Sequence, residues 1–103
     1  MIDTGASCTV VDAGLVAPLG LTPTGQMSAH TPSTNGVPHR CNQYDVQLII
    51  PSGTGQPPFW IQAIAVMETN LAAGGISGLI GRDVLSRCVL VYSGSSNLYI
   101  LSY

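Results

Sequence analysis

The sequence predicts a mainly β fold with one short helix near its C-terminal end. Three observations carry that expectation. β-branched, aromatic and other apolar residues recur in short runs such as Thr9-Val10-Val11, Phe59-Trp60-Ile61 and Val89-Leu90-Val91, the composition of strands. Clusters of Gly, Pro, Ser and Asn separate the runs and supply turn chemistry. Only Asp83 to Cys88, between two apolar runs, has the length and character of a short helix near the C-terminal end.

Taken in order, Thr9 to Val11 is the first strand. Asp12 to Leu21 holds a short helical turn, with Asp12 as its cap and Pro18 and Gly20 as punctuation. Thr22-Pro23-Thr24-Gly25 is a turn. The polar stretch from Gln26 to Cys41 carries Asn35-Gly36, and Asn-Gly is a strong hairpin signal. Tyr44 to Ile50 alternates at first and then becomes wholly apolar, reading as a long strand. Pro51 to Pro58 is a Gly- and Pro-rich loop, after which Phe59 to Met67 returns as the second arm of a hairpin. Thr69 to Ser77 is a glycine-rich surface loop, Leu79-Ile80 a short buried strand, and Asp83 to Cys88 the helix. Val89 to Tyr92 and Leu98 to Leu101 form a last hairpin around Ser93 to Asn97.

The 103 residues are expected to form a single domain. They are 46% apolar and only 8% charged, against about 25% charge in ordinary soluble domains. Such a surface is expected to be covered in part by another subunit. The net charge is −2, lysine is absent, and Arg40, Arg82 and Arg87 are scattered, which gives no basic patch for nucleic acid. No apolar run reaches the roughly 18 residues of a membrane helix. Cys8, Cys41 and Cys88 have no CxxC spacing, which predicts reduced thiols and an intracellular location. His30, His39 and Cys41 are metal-ligating residue types, but their spacing fits no common zinc site, so no metal is expected. Cys8 has no histidine at a recognisable partner spacing, which sets aside a cysteine nucleophile.

Two motifs carry the chemistry. Ile2-Asp3-Thr4-Gly5-Ala6-Ser7 places Asp-Thr-Gly behind an apolar residue, and Leu79-Ile80-Gly81-Arg82-Asp83 follows much later. Together, in this order and with strands between them, they resemble the retropepsin-like aspartic proteases. The resemblance implies an acid-protease β-barrel with the active site at a homodimer interface. It implies Asp3 as the catalytic carboxylate, with Thr4 reaching across a two-fold axis to the partner's backbone and Gly5 allowing close approach. Ala6 and Ser7 would lie in the substrate cleft, and Thr34, Asn35, Gly36 and Val37 would form the flap tip over a peptide or protein substrate. Leu79, Ile80, Gly81, Arg82 and Asp83 would support the turn from beneath. No cofactor is implied.

Of five acidic residues only Asp3 sits in the first motif, so one chain supplies half of a carboxylate pair and a two-fold copy the other half. Two departures from the family pattern bear on activity. Family members often carry an acidic residue at the position of Ser7, as partner to the arginine of the second motif. Arg82 is therefore expected to find Asp83, Asp12 or backbone carbonyls instead. The family also has an amino-terminal strand pair ahead of the catalytic turn, which is not found before Asp3. These departures leave a second expectation beside the endopeptidase: a catalytically silent dimeric module that binds peptides or serves in assembly.

Overall fold

A computed structural model describes residues 1–29, 39–53 and 55–103. The fold is mainly β. The strands are β1 (Val10–Asp12), β2 (Gly25–Ala29), β3 (His39–Ile50), β4 (Phe59–Thr69), β5 (Gly78–Leu79), β6 (Val89–Ser93) and β7 (Leu98–Ser102). Among the described residues two four-residue helices join them, α1 (Ala13–Val16) and α2 (Arg82–Leu85).

Five strands make one sheet in the order β2-β3-β4-β1-β5. The long antiparallel pair β3–β4 is its spine, with an irregularity between Val46 and Leu48. β1 lies parallel to β4, with Val10 opposite Met67, and antiparallel to β5, with Val10 opposite Leu79. β2 pairs antiparallel with β3 from Gly25 opposite Gln43 to Ala29 opposite His39. This pairing starts β3 earlier than the apolar run from Tyr44 suggests. The expected flap residues Thr34, Asn35, Gly36 and Val37 lie outside the described residues.

Of the barrel expected, closed or partly open, the closed form is not what these strands make. β6 and β7 make a separate two-stranded sheet, and among the described residues neither pairs with an edge of the larger one. That sheet therefore keeps β2 and β5 as its two edges.

Tyr44 faces Val66 across the β3–β4 ladder and Val46 faces Ile64, so all four point to one side. Val16 of α1 packs there with Tyr44 and Val66 to form the main core cluster, flanked by Val11, Val46 and Ile64. The phenol of Tyr44 donates to Glu68 Oε2 at 3.3 Å, as does the Asn42 amide at 3.2 Å, which satisfies that carboxylate at the rim of the core.

α1 forms where Asp12 caps it. The Asp12 backbone is extended, and its Oδ2 accepts the Gly14 N–H at 2.8 Å, as an N-cap should. A 3-10 turn at Ala17–Leu19 follows, opened by Pro18 and closed at Gly20 with φ +64°. Asp12 does more than cap. Its Oδ1 accepts the N–H groups of Leu71 and Ala72 at 2.7 and 2.9 Å, fastening the β4–β5 loop to the end of β1.

The N–H groups of Leu71, Gly14 and Ala72 hold the Asp12 carboxyl below its ordinary value of 3.8. A carboxylate whose folded value lies below its unfolded one stabilises the fold above the unfolded value. The contribution is lost as pH falls through the folded value. Asp12→Asn is therefore expected to lower the melting temperature at neutral pH. The gap to wild type should close as pH is taken below about 4. Thermal melts of both proteins across that range check this, and a gap that stays constant into strong acid would count against the clamp.

Candidate active site

The Asp3 turn is short and tightly bonded. The Ala6 N–H donates to the Asp3 carbonyl at 3.2 Å, and the Gly5 N–H donates to Asp3 Oδ1 at 2.9 Å. The carboxylate is thus held by its own turn, as is usual for Asp in an Asx-type turn. Asp3 is partly exposed, and Thr4, Gly5 and Ser7 are exposed. Ala6 is half-buried. Among the described residues, the Thr4 hydroxyl and Asp3 Oδ2 have no hydrogen-bond partner within the chain.

Beneath this turn lies the second motif. The Asp3 N–H donates to the Ile80 carbonyl at 3.0 Å, and the Ile80 N–H donates to the Met1 carbonyl at 2.7 Å. Ile2 and Ile80 form an isolated parallel bridge. The strand expected at Leu79-Ile80 accordingly lies one residue earlier, at Gly78–Leu79, where Val10 and Val11 pair with it. The Arg82 N–H donates to the Ala6 carbonyl at 2.8 Å, and Arg82 Nη1 donates to the Thr4 carbonyl at 3.2 Å. Of the acceptors expected for Arg82, a backbone carbonyl of the Asp3 turn is the one it takes.

Asp83 is engaged elsewhere. Its Oδ2 accepts the Thr9 N–H at 2.9 Å, and its Oδ1 accepts the Thr9 hydroxyl at 2.7 Å and the Val84 N–H at 2.8 Å. Thr9 Oγ1 in turn accepts the Gly81 N–H at 3.2 Å. Thr9 is buried, with 3% of its surface exposed, and these bonds meet all of its side-chain and N–H requirements. α2 begins at Arg82 rather than at Asp83 because Gly81, in extended conformation, is its N-terminal flank. Its buried residue, Val84, is wholly sealed from solvent.

Gly81 is where the two motifs touch most closely. A Cβ built there would lie 2.4 Å from the Cys8 carbonyl oxygen and 2.5 Å from its carbon, so no side chain fits between α2 and the strand leaving the Asp3 turn. The site residues Asp3 to Ser7 and Leu79 to Asp83 are therefore one bonded unit, although the two segments lie far apart in the chain.

Sequence reasoning missed Thr9 and the second role of Asp12. Thr9 looks like any β-branched strand residue, and its partner is 74 positions away. Cys41 and Cys88 are poor candidates for a rival nucleophile. Burial, reinforced by the charge of Glu68, pushes the Cys41 thiol up, and burial alone pushes Cys88 up, both away from the reactive thiolate. Among the described residues no group of three His, Cys, Asp or Glu side chains could hold a metal ion. No helix among them is long and apolar enough to cross a membrane. Compared with protein-family models, with curated proteins and with solved structures, the chain matches none.

Proposed function

We propose that the chain is a retropepsin-like aspartic endopeptidase that works as a homodimer. The observation that carries this reading is the docking of the Asp3-Thr4-Gly5 turn on Ile80 and Arg82 through the Ile80, Ala6 and Thr4 carbonyls. An ordinary surface Asp turn has no need of such a foundation. A catalytic carboxylate does, because its position must hold to a fraction of an ångström.

In the dimer, Asp3 and its two-fold mate bind one water between them. Two carboxylates about 3 Å apart cannot both ionise, so the pair holds one proton. The ionised member takes a proton from the water, and the protonated member polarises the scissile carbonyl. The peptide lies extended, with Ala6 and Ser7 beside it. The exposed Thr4 hydroxyl is free to bond across the axis. No metal or organic cofactor enters this scheme.

The rival reading, a silent dimeric peptide-binding or assembly module, draws on Ser7, which gives Arg82 no carboxylate in the Asp3 turn. Hydrolysis measured against pH separates the two. A pair sharing one proton requires cleavage of an unfolded protein to fall at least tenfold between about pH 5 and about pH 8. A rate that is flat across that range would rule out a shared-proton pair, and no cleavage at any pH would favour the silent module.

A further inference from the structure

We infer that a polar pocket beside α1 binds a free α-amino acid as its zwitterion. The pocket has a volume of about 270 Å³, and its walls come from Ala13, from Arg40 to Asn42 of β3 and from Glu68 to Asn70 at the end of β4. None of these residues belongs to the two motifs, so hydrolysis at Asp3 and filling of this pocket can be lost separately.

Strand pairing builds the floor. Beyond Gln43 opposite Met67, the β3–β4 ladder brings Asn42 to Glu68. β1 backs β4 from its other edge, with Val11 opposite Glu68 and Asp12 opposite Thr69. Residues two apart on a strand share a face, so Arg40, Asn42 and Tyr44 form one row beside Glu68. Asp12 fixes the rim. Its Oδ2 accepts the Gly14 N–H, next to Ala13, and its Oδ1 accepts the Leu71 N–H, next to Asn70. Two walls distant in the chain are thereby held on one carboxylate, and a ligand entering a pre-formed pocket need not order it.

The pocket carries one charge of each sign. Glu68 is half-buried. Its Oε2 accepts the Asn42 amide and the phenol of the buried Tyr44, so the carboxylate is held in one orientation. Its Oε1 takes no bond among the described residues, nor does the Arg40 guanidinium, and no ion pair joins the two. An α-amino acid carries its ammonium and carboxylate on one carbon. Placed between these side chains, it gives the ammonium to Glu68 Oε1 and the carboxylate to the fork of Arg40, both as charge-assisted hydrogen bonds. A simple anion on Arg40 would face the like charge of Glu68, and a simple cation on Glu68 would face that of Arg40. Only a ligand with both charges suits both residues. Asn42, Thr69 and Asn70 add amide and hydroxyl groups to the wall, which fits a short polar side chain. Ligand sites begin near about 300 Å³, so this one has room for a single amino acid and not for an extended peptide.

Calorimetric titration of the full chain with L-glutamine tests this. Wild type should bind it with a Kd of about 1 mM or tighter. Glutaramic acid, which is glutamine without its ammonium, and 4-aminobutanamide, which is glutamine without its α-carboxylate, should each bind at least about tenfold more weakly. Glu68→Gln keeps an oxygen for Asn42 and Tyr44, and should abolish the preference for glutamine over glutaramic acid. Arg40→Gln, at an exposed position, should abolish the preference over 4-aminobutanamide. Asp3→Asn should bind glutamine as wild type does. A wild type that binds none of the three compounds up to about 20 mM would overturn the inference. Equal binding of all three would do the same, as would Arg40→Gln and Glu68→Gln proteins that keep the wild-type preferences.

Discussion

Asp3→Asn is expected to lower peptide hydrolysis by about a thousandfold or more while leaving the fold and the mass intact. The two halves of that expectation have separate causes. The turn is held by the Gly5 N–H on Asp3 Oδ1 and by backbone bonds from Asp3 and Ala6. The amide oxygen of Asn can accept the Gly5 bond as the carboxylate does, so the turn loses little. What Asn cannot do is take a proton from water. In a homodimer the change strikes both halves of the pair at once, and residues that act as a unit lose nearly everything when one is removed. Mixed dimers, in which one subunit keeps Asp3 and the other carries Asp3→Asn, should therefore be as inactive as dimers changed in both subunits. Cleavage of an unfolded protein at mildly acidic pH, with melting temperature and mass measured on the same samples, checks all three statements. Activity that survives the change would place the chemistry away from Asp3.

The acid setting of that assay raises a question of stability that Asp12 answers. Three backbone N–H groups hold its carboxyl low, so the bond between β1 and the β4–β5 loop outlasts the mild acid in which a proton-sharing pair works. Protonation of Asp12 should begin to loosen this clamp only below its ordinary value of 3.8.

Much of this architecture was legible in the sequence, for reasons that particular residues show. Phe59 to Met67 and the hairpin from Val89 to Leu101 read correctly because a strand's side-chain pattern and its turn residues are local properties. Asp12 read correctly as a cap for the same reason. Contacts set by distant partners were not legible. Nothing near Thr9 announces that Asp83 will bond both its N–H and its hydroxyl, and nothing near Asp12 points to Leu71. The parallel pairing of β1 with β4 was also invisible, because periodicity identifies strands without naming their neighbours. Closure of the barrel was not legible for the same reason: strand runs can be counted from the sequence, but whether the last sheet joins the first is decided by pairing, and here the final hairpin pairs with itself.

The largest structural effect is expected from Gly81→Ala, a change of one methyl group. Gly81 has φ −93° and ψ −175°, a backbone conformation open to any residue, so glycine is not needed there for its conformational freedom. It is needed because the methyl would sit 2.4 Å from the Cys8 carbonyl oxygen and 3.0 Å from the Cys8 nitrogen. Neither atom can yield cheaply. Cys8 lies between Ala6, whose carbonyl accepts the Arg82 N–H, and Thr9, whose N–H and hydroxyl are fixed on Asp83. Relief would require α2 to part from the strand leaving the Asp3 turn, breaking several of these bonds together. Overpacking against fixed backbone costs about 3 kcal/mol, a large share of the roughly 5–15 kcal/mol that holds a domain folded. Gly25→Ala is the matched control, since a methyl at that position meets nothing within 4 Å. It should lie between no change and about 1 kcal/mol of stabilisation. Urea unfolding of the three proteins measures the difference. Hydrolysis by Gly81→Ala should fall even under conditions where it remains folded, because the turn that carries Asp3 is seated on the residues it displaces. A Gly81→Ala protein as stable as wild type would show that the two motifs are not clamped at Cys8, and would remove the foundation on which the catalytic reading of Asp3 stands.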